Sequence, residues 1–151
     1  MPDRHGPMRT GRFKVEIDDV EVAGFRTVEL PRRYTELDEY REEGESDARK
    51  QLWGQPEFDD LKMERGVAPG GTELFDWRTA VEEGKVDDGR KEISVTLMDE
   101  EGESQIRWSF DAAWPKEYHP PELDATADDE VATESITVAF DSMIREEVQS
   151  G

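Results

Sequence analysis

The side chains with the widest chemical range here are two histidines, His5 and His119, and 39 aspartates and glutamates. A Ser-His-Asp triad would need His119 as its base, because His5 lies in a Pro- and Gly-bearing N-terminal stretch; no nucleophile-elbow pattern supports it. His119 sits between Tyr118 and Pro120-Pro121, the setting of an exposed loop residue. With Cys at 0, thiol nucleophiles, zinc-thiolate sites and disulfides are excluded. Carboxylates cluster at Asp18-Asp19, Asp59-Asp60, Asp87-Asp88, Asp99-Glu100-Glu101 and Asp128-Asp129-Glu130. A hard cation is attracted to such clusters, but none has the alternating ligands, central glycine and terminal glutamate of a calcium loop. Each falls at an expected turn, where Asp is favoured because it hydrogen-bonds its own backbone. Gly70-Gly71 lacks the spacing and the following lysine of a phosphate cradle. The reading is a non-enzyme with no catalytic residue, no cofactor and no metal site.

The aromatic residues divide into two kinds. Trp108, Phe110 and Trp114 stand at strand spacing and read as core, since a base-stacking platform would want a basic surround. Trp53 lies in a polar stretch beside Gly54 and reads either as a protein–protein anchor or as packing back onto its own domain. The charge balance is 19 − 39 = −20 at pH 7, with a pI near 4.4. That excess argues against phosphate-backbone binding, which depends on Lys and Arg releasing counterions, so no specific nucleic-acid partner is expected. No apolar run approaches the roughly 18 residues of a membrane span, so no membrane anchor is expected. MPDRHGPMRTGR is followed by no apolar segment, and the expectation is synthesis in the cytoplasm without a Sec signal peptide. Thirteen Trp, Phe and Tyr residues (4 + 6 + 3) and regular apolar spacing make the charge a coating on a folded domain, not a sign of disorder. The excess of Arg over Lys and the even spread of acids resemble proteins of salt-in halophiles. That likeness implies a halophilic archaeon or its virus as the source.

The elements that would position these residues are mostly strands. Residues 1–11 read as a flexible arm and 12–148 as a single domain. Phe13, Val15 and Ile17 alternate with charged residues, and Val20 to Leu30 supply a second apolar stretch bent at Gly24. Residues 32–42 lean towards strand, 42–56 read as an extended loop or hairpin tip, and Phe58, Leu61 and Met63 mark another strand. One helix is expected over about residues 72–83, with Thr72 as N-cap, Leu74, Trp77 and Val81 on one face joined by Phe75, and Gly84 as terminator. VDDGR then reads as a turn. Residues 91–114 form a hairpin turning at Gly102, with Ile93, Val95 and Leu97 facing Ile106, Trp108, Phe110, Ala112 and Trp114 on one parity. A last strand places Ile136, Val138 and Phe140 inward, with Glu134 near the rim. About seven strands and one helix make a mainly β fold: two packed antiparallel sheets forming a small barrel or sandwich with a flanking helix.

The order of short segments is the most specific signal. FKVEIDDVEVAGF, EYREEG at Glu39 to Gly44, LKMERG at Leu61 to Gly66, LFDW, LMDEEG, WSFDAAWPKEY and EVATESITVAF resemble, in that order, the tail-tube proteins of contractile phages. The family includes inner-tube proteins of tailocins and extracellular contractile injection systems. The resemblance implies hexameric rings stacked into a hollow tube that sheath contraction drives through a target envelope. The implied partners are further copies of the chain, the sheath, baseplate and spike proteins at one end, a terminator at the other, and cargo in the lumen. The implied setting is a released particle or virion. By position, Tyr40, Arg41, Glu43, Gly44, Arg49, Lys50, Trp53 and Gly54 fall on the extended loop that reaches a neighbouring subunit or ring. Where the family often reads EYREGG this chain has Glu43, which would be strained in a left-handed conformation. A baseplate or tube-initiator paralogue and a monomeric ligand-binding β-barrel are the alternatives.

Overall fold

Strict alternation in FKVEI forms the first strand, β1 (Phe13–Ile17), which buries Val15 and Ile17 and turns Lys14 and Glu16 away. Asp18 and Asp19 follow with φ of 50° and 65°, the left-handed pair that a two-residue hairpin requires, and return the chain as β2 (Val20–Val22). Gly24, with φ 91°, bends it into β3 (Phe25–Glu29). Next come β4 (Arg33–Tyr40), β5 (Lys50–Phe58) and β6 (Leu61–Gly66), then the helix α1 (Glu73–Glu82) and the single turn α2 (Val86–Gly89). The chain closes with β7 (Lys91–Met98), β8 (Ser104–His119), β9 (Thr133–Ala139) and β10 (Ser142–Glu147). The computed structural model describes residues 6–40, 50–127 and 129–148, with backbone alone for 38–40 and 50–53.

Two antiparallel sheets share β8. Its first part pairs with β7 and β10, beside β1 and β2; its second part, from Trp114, pairs with β9, which continues to β6 and β3. The joint is Ala112, a non-glycine residue at φ 50°. This bulge re-aims the strand and breaks the expected parity: Phe110, Ala113 and Pro115 point inward. Trp114 therefore stands half-buried outside the central cluster instead of following Phe110 into it. The path ends on β2 and β3, which follow one another in the chain yet form no ladder together. The architecture is a sandwich with an open seam, not a closed barrel.

The core holds Val15, Ile17, Val22, Leu61, Met63, Leu74, Trp77, Ile93, Val95, Phe110, Ala113, Ile136 and Val138. Each large member contributes roughly 1.5–3 kcal/mol by leaving water. Phe13, Trp108 and Phe140 are half-buried and pack against it, and Leu97 is half-buried. On α1, Leu74 and Trp77 are buried and Val81 half-buried, whereas Phe75 turns outward and meets Tyr118 edge-on at 5.6 Å. Thr72 stands at the N-cap, but its hydroxyl donates to Asp76 Oδ2 at 2.9 Å and not to the helix backbone. Gly84 ends the helix at φ 72°. VDDG is a helical turn, held because the Trp77 indole N–H donates to the Gly89 carbonyl at 2.7 Å. A Cβ on Gly89 would meet Val81 Cγ2 at 3.2 Å, so this close approach suits glycine.

Candidate functional site

Two features stand out from the core packing. The first is a buried ionic network. Arg65 on β6 lies directly opposite Glu134 on β9, and both share the inward parity of their apolar neighbours. Arg65 is 4% exposed and Glu134 5%. The Arg65 Nε–H donates to Glu134 Oε1 at 3.1 Å, and its Nη2 donates to the Gly71 carbonyl and to Glu73 Oε2, both at 2.9 Å. The Tyr118 hydroxyl donates to Glu134 Oε2 at 2.9 Å, so both oxygens of that carboxylate are occupied. Phe25 on β3 sits 6.0 Å beneath the guanidinium. Desolvation, then the bond to the Glu134 carboxylate, push the Tyr118 hydroxyl up to about 12. Its own backbone N–H, then Arg65, hold the Glu73 carboxyl below the usual range. Glu134 is thus an interior residue and not a rim one. Opposite charges at matching buried positions of two strands were the sequence signal for the pair.

This network joins pieces of four segments singled out above: Arg65 from LKMERG, Glu73 beside LFDW, Tyr118 from WPKEY and Glu134 from ATES. It fixes the turn before α1, and with it the helix start, onto the second sheet. Its role is positional: every polar atom named is spent on another, so no group is left poised for proton or group transfer. The turn aspartates are likewise engaged. Asp18 Oδ1 accepts from the Glu92 N–H, and Asp99 Oδ1 from the N–H groups of Glu101 and Glu103, each at 2.9 Å. Asp99, Glu101 and Glu103 bring carboxylate oxygens within 4.8 Å of one another, a common arrangement of exposed acids.

The second feature is an arm. β4 and β5 pair only with each other, in a ribbon of about 26 Å at 3.3 Å per residue over the eight residues of β4. Its root is fixed by the Asp59 N–H to the Arg32 carbonyl (3.0 Å), the Arg32–Asp59 ion pair (2.9 Å) and the ring contacts Phe58–Phe140 and Phe140–Phe110 (5.2 and 5.0 Å). Beyond the root, Leu37 is 63% exposed and lies opposite Trp53 in the register. Residues 50–56 are thus strand and not loop, because they complete a ladder with 35–40 across one register shift. Of the expected contact residues, Tyr40, Lys50, Trp53 and Gly54 lie on the ribbon, with Tyr40 opposite Lys50. Arg41, Glu43, Gly44 and Arg49 fall outside the described residues. His119 lies on β8, exposed, with Nε2 3.6 Å from Glu117 Oε1.

The geometry is a β-sandwich pinned by an internal ion pair, with a strand ribbon that pairs with neither sheet. The chain belongs to the family described as T4-like virus tail tube protein gp19, which it matches over residues 9–144. Among solved structures it is similar to a chain of the sheath–tube complex of the PVC extracellular contractile injection system in its extended state. The two are 28% identical with a TM-score of 0.82, over 96% of this chain and 95% of that one. It is 26% identical, with a TM-score of 0.81, to a chain of the tube-terminating cap of the anti-feeding prophage, over 95% and 93% of the two chains. Hcp1 from Flavobacterium johnsoniae shares the fold alone, at 16% identity and a TM-score of 0.55 over 92% and 99%. Among curated proteins, none matches. Family membership makes the chain a structural tube protein and not an enzyme.

Proposed function

We propose that this chain forms hexameric rings that stack into the hollow inner tube of a contractile injection system or phage tail. A sheath surrounds the tube, baseplate and spike proteins close one end, a terminator closes the other, and the lumen takes cargo. The observation that carries this reading is the similarity to a chain of a sheath–tube complex over nearly the full length of both. The particle is assembled in the cytoplasm and then released.

The β4–β5 arm is the contact to a neighbouring copy, with Arg41, Arg49, Lys50 and Trp53 among its contact residues. A two-stranded ribbon has no core of its own and is marginal in water. Support comes from its separation from both sheets and from the exposure of Leu37. A closed ring of head-to-tail contacts also covers strand edges that would otherwise recruit other chains. Native mass spectrometry of the purified chain tests the ring. Six copies of 17.3 kDa weigh about 104 kDa, and a single species of one chain mass at every protein and salt concentration would count against the assignment.

A further inference from the structure

We propose that assembly of this chain is gated by ionic strength: exposed apolar groups supply attraction between copies, and the carboxylate excess of each copy keeps copies apart until salt screens it. The inference rests on the tube assignment and adds its regulation. The chain carries an excess of −20, and among the described residues Glu134 is the one buried carboxylate, so the other described acids lie at or near the surface. Exposed apolar side chains lie within that charge. Leu37 stands between Glu36 and Asp38, Leu123 between Glu122 and Asp124, and Val20 between Asp19 and Glu21. Phe75 precedes Asp76, Val86 precedes Asp87, and Val131 follows Glu130. With most of the described carboxylates exposed, two copies that meet through such groups bring acidic surfaces towards each other.

Complementary cations relieve this only in part: 19 Lys and Arg face 39 Asp and Glu, and Arg32, Arg78, Lys116 and Arg90 are among those already paired within the chain, with Asp59, Glu82, Asp60 and Asp141. The Debye length is about 30 Å at 0.01 M and about 3 Å at 1 M. Repulsion between the acidic surfaces of two copies thus reaches far in dilute buffer and acts only at contact at molar salt, while the apolar attraction persists. In a ring of six the excess becomes about −120, which opposes both closure and stacking.

The test is a salt titration of the full chain from about 0.01 M to 1 M KCl, read by sedimentation and negative-stain micrographs. It is run beside a variant with Glu36→Gln, Glu122→Gln, Asp129→Asn and Glu130→Gln. The wild type is expected to assemble only towards molar salt. The variant, at −16 instead of −20 per copy, is expected to assemble at a threshold lower by roughly 1.5-fold, as repulsion scales with the square of the charge. Salt also strengthens apolar association by exclusion from surfaces, and the variant separates the two causes. A variant that keeps the wild-type threshold overturns the gate, as does a wild type that forms tubes equally at both ends of the titration; either leaves the tube assignment standing. Monomers at every salt overturn the assignment and the gate with it.

Discussion

Replacing Arg65 with methionine keeps most of the side-chain length and removes the guanidinium from the interior. Glu134, 5% exposed, then keeps only the Tyr118 hydroxyl as partner, while the Gly71 carbonyl and Glu73 lose their donor. Removing one member of a buried pair costs about 3–5 kcal/mol, mostly because the surviving charge is left uncompensated. In a domain of this size each kcal/mol moves the midpoint by about 2–4 °C, so Arg65→Met should melt about 6–20 °C below the wild type. Circular-dichroism melts and urea titrations at low salt read this out, under conditions where self-association does not shift the midpoint by mass action. Replacing both partners, Arg65→Met with Glu134→Leu, removes the stranded charge and should recover more than half of the loss. If Arg65→Met melts within about 1 kcal/mol of the wild type, the pair behaves like an exposed salt bridge and the positional role given to it is wrong.

Three further outcomes are expected. Trp77→Ala should cost about 3–5 kcal/mol through the cavity it opens, and Trp77→Phe about 1 kcal/mol through the lost bond to Gly89, both read by urea titration. The Tyr118 hydroxyl, pushed up to about 12 against about 10 in an unfolded chain, holds its proton longer when folded. Its contribution is complete below about pH 10 and lost between about pH 10 and 12; melts across that range should fall more steeply for the wild type than for Tyr118→Phe. Replacing residues 41–49 with a short Gly-containing turn should leave the melt within about 0.5 kcal/mol. Electron micrographs of the same variant should show no tubes.

Where burial is one-sided and the backbone regular, the residues themselves reveal the fold. The alternation of β1, the β7–β8 turn at Gly102 with φ 85°, and the helix from Glu73 to Glu82 fall at or within a residue or two of their expected places. β10 was not expected, because SMIREE carries two apolar residues and pairs at a sheet edge where no second face needs covering. The switch at Ala112 was hidden because a left-handed alanine leaves no mark in composition, and it displaced Trp114 from the core. The strand from Lys50 leaves no mark in the sequence because a ribbon that joins neither sheet need not show an apolar period. For Glu134 a rim position is the natural expectation, because charge argues for solvent unless the partner is known, and that partner lies 69 residues away at Arg65. The arm and the network are thus the parts that one strand alone cannot reveal, since each depends on a second strand.

Cryo-electron microscopy of the full chain at about 1 M KCl, where screening is nearly complete, tests the central claim most directly. The expected images are hollow tubes with sixfold end-on symmetry, each ring position fitted by one β-sandwich with its β4–β5 arm against another copy. Compact single chains, or closed dimers, filling the grids at every protein concentration would contradict it.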